Sequence, residues 1–109
     1  MKEEFYQPLK IEAWDREVEI TSVIISKYCN NNLAIELMEG GEPYATLTKN
    51  LHDLGSKKCA YIDTNNCPWA PQFIEKYNLG TDTGLTERSG YCIYPLYEMN
   101  LEELEKYTA

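Results

Sequence analysis

The chain of 109 residues lacks the motifs by which many enzymes and metal sites are identified from sequence. It contains no phosphate-binding GxxxxGK loop, no CxxC pair, and only one histidine, His52. Standard zinc fingers and ribbons need two close pairs of ligands, so the sequence excludes those two classes. No nucleophile stands beside a base in any recognisable pattern, and no motif names an activity.

Long apolar runs are also missing. No stretch of 18 apolar residues occurs, so no membrane-spanning helix is expected. The N-terminal residues, MKEEFYQPLKIEAW, have charges where a secretory signal needs an apolar core, which predicts a cytoplasmic protein. A hydrophobic content of 43% can fill one modest core, so residues 1–109 are predicted to form a single domain.

Basic residues are scarce. The chain has 10 Lys and Arg against 18 Asp and Glu, a formal net charge of −8, and each half carries five basic and nine acidic residues. An acidic chain repels phosphates, which argues against direct binding of DNA or RNA. The acidity has two interpretations, solubility and attraction to a basic protein surface, and the sequence leaves both open.

Alternation of apolar and polar residues predicts strands in the first half of the chain. Asparagines at 30–32 and the glycine-rich segment 39–42 supply residues that tolerate left-handed backbone angles, so both are expected to be turns. The predicted strands are 9–13, 17–25, 33–38 and 44–48. Short turns between successive strands make this half an antiparallel meander.

The second half mixes helix and strand signals. Segment 59–62 is predicted to be a strand, and 63–66 a capping turn. Trp69, Phe73 and Tyr77 mark one apolar face of a helix. Leu79-Gly80 is expected to end this helix. Residues 81–89 are rich in Gly and Thr and are predicted to be a loop before an apolar, central strand at 91–99. Pro95 requires a bulge, edge or bend in that strand.

Asn100 and Glu103 resemble a capping box and predict a short final helix. The expected class is therefore α+β: an antiparallel meander of about five or six strands, with two short helices on one side of the sheet.

Cysteines separated by 30, 8 and 25 positions have two interpretations. Free cysteines fill cores as small apolar groups. Alternatively, distant positions assemble a zinc site from Cys59, Cys67 and Cys92, with His52 as the fourth ligand or Cys29 in its place.

Cys67 has a further interpretation as a nucleophile, because a helix N-terminus stabilises thiolate. A cysteine-dependent enzyme would also need His52 as its base, oriented by Asp63 or Asp53. Nothing in the sequence brings these residues together.

Acidic and aromatic residues near the C-terminus suggest a surface for a protein partner. Glu98, Glu102 and Glu105 are expected to form an acidic face, with Tyr97 as an aromatic contact. Tyr and Trp are enriched among the anchors of interfaces, so any exposed tyrosine of this region would mark such a surface.

The segment YIDTNNCPWAPQFIEKYNLG, followed by SGYCIYPLYEMNLEEL, resembles a family of small domains of unknown function. The resemblance covers roughly residues 42–105, and members of the family occur in phages and conjugative elements of Gram-positive bacteria. It implies a genomic context and no established activity, and it supplies no catalytic residues. Small acidic proteins of such elements often disarm host defences, as anti-CRISPR and anti-restriction proteins do.

The resemblance and the acidity lead to one main hypothesis. The protein is expected to be a non-enzymatic binding protein of a mobile element that works in the bacterial cytosol. It would inhibit a host defence protein, such as a type II CRISPR effector nuclease, by binding a basic surface of that protein. The alternatives are a zinc-stabilised structural module and a cysteine-dependent enzyme.

Overall fold

Strands dominate the architecture, and the α+β class predicted from the sequence is confirmed. The computed structural model describes residues 9–13 and 15–108. Within these residues, nine strands form three antiparallel sheets, accompanied by two short helices. The strands are therefore divided among three small sheets, where the sequence predicted a single meander.

The first sheet is a hairpin of β1 (Leu9–Ala13) and β2 (Arg16–Ile20). Alternate apolar residues of both strands are buried, as the sequence pattern predicts. Asp15 adopts a φ of 70° in the connecting turn. Residue 14, between β1 and β2, lies outside the described residues.

The second sheet is a meander of β3 (Ser22–Lys27), β4 (Leu33–Glu39) and β5 (Glu42–Thr46). Its two connections are the predicted asparagine and glycine turns, where Asn31 has a φ of 71° and Gly41 a φ of 87°. These are left-handed conformations that Asn and Gly adopt with little strain.

The third sheet has four strands in the order β6-β7-β9-β8. They are β6 (Thr48–Lys49), β7 (Cys59–Ile62), β8 (Gly80–Ser89) and β9 (Cys92–Met99). The central position predicted for the apolar strand is confirmed, because β9 lies between β7 and β8. The loop predicted at 81–89 is wrong: this threonine-rich segment pairs with β9, and its β-branched side chains suit a strand.

One residue joins the second and third sheets. The N–H of Leu47 donates to the carbonyl of Ile35 at 2.8 Å, and its own carbonyl accepts from the N–H of Asp63 at 2.9 Å. The Leu47 side chain is fully buried in the common core. The two sheets thus share a core and a continuous backbone contact.

Helix α1 spans Ala70–Lys76 and buries Phe73 and Ile74, in agreement with the predicted apolar face. Asp63 accepts a hydrogen bond from the N–H of Asn66 at 3.2 Å, so residues 63–66 form the predicted turn. The predicted capping role is wrong, because the N-cap of α1 is Trp69 and no side chain caps the helix. The helix does not end at Gly80 as expected. Asn78 supplies the left-handed residue with a φ of 59°, and Gly80 already belongs to β8.

Helix α2 spans Leu101–Glu105 and begins as the sequence predicts. The Asn100 side chain accepts from the N–H of Glu103 at 3.2 Å, and Leu104 is fully buried. After the helix, the carbonyl of Tyr107 accepts from the N–H of Val23 at 3.0 Å, which ties the C-terminal segment to β3. Among the described residues, no helix is both long enough and apolar enough to cross a membrane.

Candidate functional site

The hairpin of β8 and β9 carries large apolar side chains that face solvent. Leu85 is 62% exposed, Tyr91 103% and Ile93 52%, and we call these three residues the hairpin patch. Tyr91 lies at the hairpin turn, where Gly90 before it has a φ of 63°. Single exposed apolar side chains are normal on a protein surface, so the notable feature is that one hairpin carries all three.

A bulge places Leu85 on the surface. Asp82 pairs with Tyr97 and Thr86 with Pro95, so three residues of β8 face a single residue of β9. The bulge satisfies its own polar groups: Asp82 Oδ1 accepts from Gly84 N–H at 2.9 Å, and Thr83 Oγ1 donates to the carbonyl of Leu96 at 2.7 Å. Local hydrogen bonds therefore fix the exposed position of Leu85.

The bulge also explains how a proline fits into a central strand. Pro95 lies next to the bulge and beyond the part of β9 that pairs with β7, which ends at Leu96. The missing N–H of the proline thus removes no ladder bond to β7, and the prediction of a local irregularity at Pro95 is confirmed.

A polar cluster supports the hairpin from one face of the third sheet. The Nε2 atom of His52 lies 3.2 Å from the Tyr61 hydroxyl and 3.4 Å from Glu87 Oε1 on β8. Burial, and then the negative charge of Glu87, raises the pKa of Tyr61. The loop that carries His52 is thereby linked both to β7 and to the edge of the hairpin.

Next to this cluster, Lys49 Nζ lies 5.8 Å from the ring centroid of Tyr94, within range of a cation–π contact. A hydrogen bond to Cys92 and then burial raise the pKa of Tyr94. Tyr94 is buried, so Tyr91 alone of the hairpin's three tyrosines, Tyr91, Tyr94 and Tyr97, presents its ring to solvent.

The residues predicted to contact a protein partner lie in two different environments. Tyr97 is 6% exposed and packs in the hydrophobic core, so it is a structural residue and not a surface contact. Glu98, Glu102 and Glu105 are exposed, as expected for an acidic face. Glu98 Oε2 pairs with Lys58 Nζ at 2.9 Å, and this hydrogen bond raises the pKa of Lys58.

The predicted zinc ligands occupy separate places. Cys59 begins β7 and Cys92 begins β9, while Cys67 is buried ahead of α1 and Cys29 is exposed. The fifth candidate, His52, contacts Tyr61 and Glu87. Within the residues that the structure describes, no group of three or more His, Cys, Asp or Glu side chains is placed to hold a metal ion. Zinc binding stays a prediction from the sequence.

Cys67 has the opposite properties to an activated nucleophile. Burial, and then the negative charge of Asp63, raises its pKa to about 11. Its Sγ donates a weak hydrogen bond to the carbonyl of Thr46 at 3.7 Å. The histidine that the enzyme hypothesis assigns to it as a base, His52, instead contacts Tyr61 and Glu87. This arrangement suits a core thiol.

Sequence reasoning missed Leu85 and Ile93 as surface residues. The signal was present, because Leu85 follows Thr83-Gly84 and Tyr91 follows Ser89-Gly90, both of which are turn-forming pairs. Large apolar residues directly after turn signals lie where a chain is furthest from its core. Ile93 carried no such signal, since it stands within the largely apolar run that forms β9.

Comparisons with known proteins give a family and no function. No curated protein and no solved structure matches the chain. One family model, described as a domain of unknown function (DUF4313), matches residues 22–109, which include everything from β3 to α2 and hence the whole hairpin. The chain therefore belongs to the DUF4313 family of domains of unknown function.

Proposed function

We propose that this domain is a non-enzymatic, acidic protein-binding module that docks on a basic protein surface through the hairpin patch. The observation that carries the proposal is the exposure of Leu85, Tyr91 and Ile93 on one hairpin. Tyr91 is fully exposed, and Leu85 and Ile93 leave more than half of their surface in water. Covering them with a partner would remove apolar surface from water at about 25 cal/mol per Å².

The three residues would make different contacts with the partner. Tyr91, at the tip, has the amphipathic ring that dominates many interfaces, and it loses little side-chain entropy when bound. Ile93, two residues further along the chain, and Leu85, in the bulge of β8, add aliphatic surface on the same hairpin. The bulge and the polar cluster of His52 hold the hairpin in shape before the partner arrives, which lowers the entropy cost of association.

The acidity of the chain would act at longer range. A net charge of −8 attracts a positively charged surface and speeds encounter, and this effect weakens as salt screens the charges. Exposed carboxylates lie at the end of the hairpin that is remote from Tyr91: Glu98 is near the end of β9, and Glu102 and Glu105 follow on α2. Apolar contact gives affinity in this scheme, and charge gives the rate of association.

The basic surface belongs, in this proposal, to a nucleic-acid-handling defence nuclease of a bacterial host, with a type II CRISPR effector as the specific candidate. Such enzymes have positively charged channels for their nucleic acids. An acidic domain bound there would exclude the substrate. The protein would then be an inhibitor that a mobile element deploys in the host cytosol.

Binding to a purified type II effector tests the proposal. We expect a complex that inhibits DNA cleavage and whose affinity falls as salt rises. Tyr91→Ala should weaken it by about tenfold or more, the loss expected of a hot-spot aromatic residue. Ile24→Ala is the matched control, because Ile24 is an exposed apolar residue on β3, away from the hairpin, and its removal should change affinity less than about twofold.

Two results would contradict separate parts of the proposal. The absence of any complex would exclude the effector as the partner. A complex that responds neither to salt nor to Tyr91→Ala would show that the acidic charge and the hairpin patch are not the means of binding.

A further inference from the structure

The inner face of the third sheet continues beyond the core of the domain. On this face of β9, Tyr97 is 6% exposed and packs in the core, whereas Ile93, nearer the hairpin turn, is 52% exposed. Successive side chains of a strand alternate between the two faces, and residues paired across two strands share one face. The register between β8 and β9 therefore places four residues on the uncovered part of this face. We call them the open ledge: Thr86, Arg88, Ile93 and Pro95.

The opposite face of the hairpin is already covered. Tyr94 lies on that face and is 4% exposed, with Lys49 Nζ 5.8 Å from its ring centroid. Glu87, which pairs with Tyr94 across the strands, points to the same side, and its Oε1 lies 3.4 Å from His52 Nε2. Strand β6 and the loop after it thus support one side of the hairpin. The open ledge is the side on which a partner can dock.

Arg88 is the charged residue of the open ledge, and it is exposed. Segment 80–99 contains no other Lys or Arg. Among the residues that the structure describes, the ion pairs use other cations, and no carboxylate lies within ion-pairing distance of the Arg88 guanidinium. Its neighbour Glu87 points to the opposite face and contacts His52. The domain therefore leaves this charge to water or to a partner.

Docking on the ledge would change the surroundings of Arg88. This residue pairs with Ile93 across the strands, so a surface that removes Ile93 from water also removes water from the guanidinium. A charge that loses its water without gaining a partner costs free energy, and a basic surface would add repulsion between like charges. A carboxylate removes both penalties, because its two oxygens match the fork of N–H groups on a guanidinium.

We propose that Arg88 selects the partner: the surface that covers the open ledge is basic overall and presents one Asp or Glu carboxylate to the guanidinium. This inference rests on the proposed function and names the chemistry of its contact. The net charge of −8 draws the domain to any basic surface, which is an unspecific attraction. Arg88 rejects those basic surfaces that have no carboxylate at this point, so attraction and discrimination come from different residues.

Removal of the Arg88 charge separates this role from the net charge of the chain. Arg88→Gln and a control in the loop between β6 and β7, Lys57→Gln, remove the same charge, and both residues are exposed, so both variants are expected to fold. Attraction to a basic effector alone would leave both variants bound at least as tightly as the wild-type domain. We expect Arg88→Gln to bind the purified type II effector about tenfold more weakly, the loss typical of a charged anchor. Lys57→Gln should stay within about twofold.

Carbodiimide coupling identifies the group that faces position 88. The reagent activates a carboxylate, and a nearby amine then attacks it to form an amide bond while a urea leaves. Arginine stays protonated and does not react, so Arg88→Lys places a reactive amine at this point. Mass spectrometry of the coupled complex should find position 88 joined to an Asp or Glu of the effector. The wild-type domain should give no such product.

Different outcomes would overturn different parts of this scheme. No complex with the wild-type domain would remove the effector and this inference together. A wild-type complex that Arg88→Gln leaves as tight or tighter would overturn the role of Arg88 while the proposed function stands. An equal loss in Lys57→Gln would assign the effect to net charge. A complex of Arg88→Lys that gives no coupled product at position 88 would show that the ledge faces a group other than a carboxylate.

Discussion

At the residue scale, Cys67 shows how burial can override position. A cysteine just before a helix is favoured as a thiolate by the helix dipole. Here the thiol is buried, α1 is only seven residues long, and Asp63 adds negative charge nearby, so the pKa of Cys67 rises to about 11. Desolvation outweighs the dipole, and the side chain serves as part of the core.

Thiol labelling of the folded protein should therefore modify the four cysteines at different rates. At neutral pH, Cys29 is exposed and should be modified first, and Cys67 last. Burial alone slows Cys67, and its raised pKa leaves a thiolate fraction about a hundredfold below that of an ordinary thiol. Mass spectrometry after timed quenching gives the order. Labelling of Cys67 as fast as Cys29 would revive the cysteine-enzyme alternative.

The roles of single residues can be predicted from sequence when they depend on local geometry. Asn100 was predicted as a cap because its side chain reaches the N–H three residues on, which is purely local geometry. Gly80 was predicted as a helix end, also from local rules. Its real constraint is distant: a Cβ there would lie 2.9 Å from Met99 Sδ and 3.1 Å from the carbonyl of Glu98. Tertiary contacts of that kind leave no local signal.

At the element scale, Asn32 organises the loop between β6 and β7. Its buried Nδ2 donates to Asn50 Oδ1 at 3.0 Å and to the carbonyl of His52 at 2.7 Å, and its Oδ1 accepts from the N–H of Leu54 at 3.0 Å. One amide thus holds three positions of the loop. The same loop presents the His52 ring to the hairpin.

Asn32→Ala should release this loop and destabilise the domain by about 1 to 3 kcal/mol, because buried partners of the amide lose their hydrogen bonds. Urea unfolding gives the free energy, and amide hydrogen exchange at Leu54 should accelerate. Asn65→Ala is the control: Asn65 is exposed in a turn, and its loss should cost less than about 0.5 kcal/mol. Equal costs for the two variants would contradict the role assigned to Asn32.

Elements with a strong local sequence pattern were predictable. Strand β8, which depends on pairing with β9, was not. Strands β1 and β7 and helix α1 follow from alternation, β-branched content and the spacing of aromatic residues. Strand β8 contains two glycines and is predicted to be a loop, and it becomes a strand because β9 pairs with it on both sides of the bulge. Leu85 and Ile93 of the hairpin patch were missed for the same reason, since no hairpin was predicted to display them.

At the scale of the whole molecule, burial raises the pKa of one cysteine and several tyrosines. Desolvation is the main cause that raises the pKa of Cys67 and also those of Tyr61, Tyr97 and Tyr107, with nearby carboxylates as the second cause. Each group prefers its protonated form more strongly in the folded chain than in the unfolded chain. Folding therefore depends on these protons, in addition to the repulsion within a chain of net charge −8.

The stability of the domain should consequently fall at alkaline pH. A raised pKa contributes stability that is complete below the unfolded pKa, roughly 8.5 for a thiol and 10 for a phenol, and is lost as pH rises through the folded value. Urea midpoints should be nearly constant from neutral pH to about 8 and then decrease. Cys67→Ala should delay the onset of the decrease. A midpoint that increases above that pH would refute the prediction.

The division into three sheets belongs to this scale and was not predictable from strand patterns alone. Periodicity identifies strands one at a time, whereas the choice of neighbours depends on which faces can share a core. Leu47, whose two backbone groups bond to Ile35 and Asp63, fixes that choice for the second and third sheets. Nothing in its sequence neighbourhood distinguishes it from any other core leucine.

The strand order β6-β7-β9-β8 has a consequence for synthesis on the ribosome. The first two sheets are complete in sequence once residue 46 has been made. The third sheet must wait, because its centre, β9, is also its last strand to emerge. Until residue 99 leaves the exit tunnel, β7 and β8 have exposed edges without their main partner, and this is the interval in which the nascent chain is most exposed to aggregation.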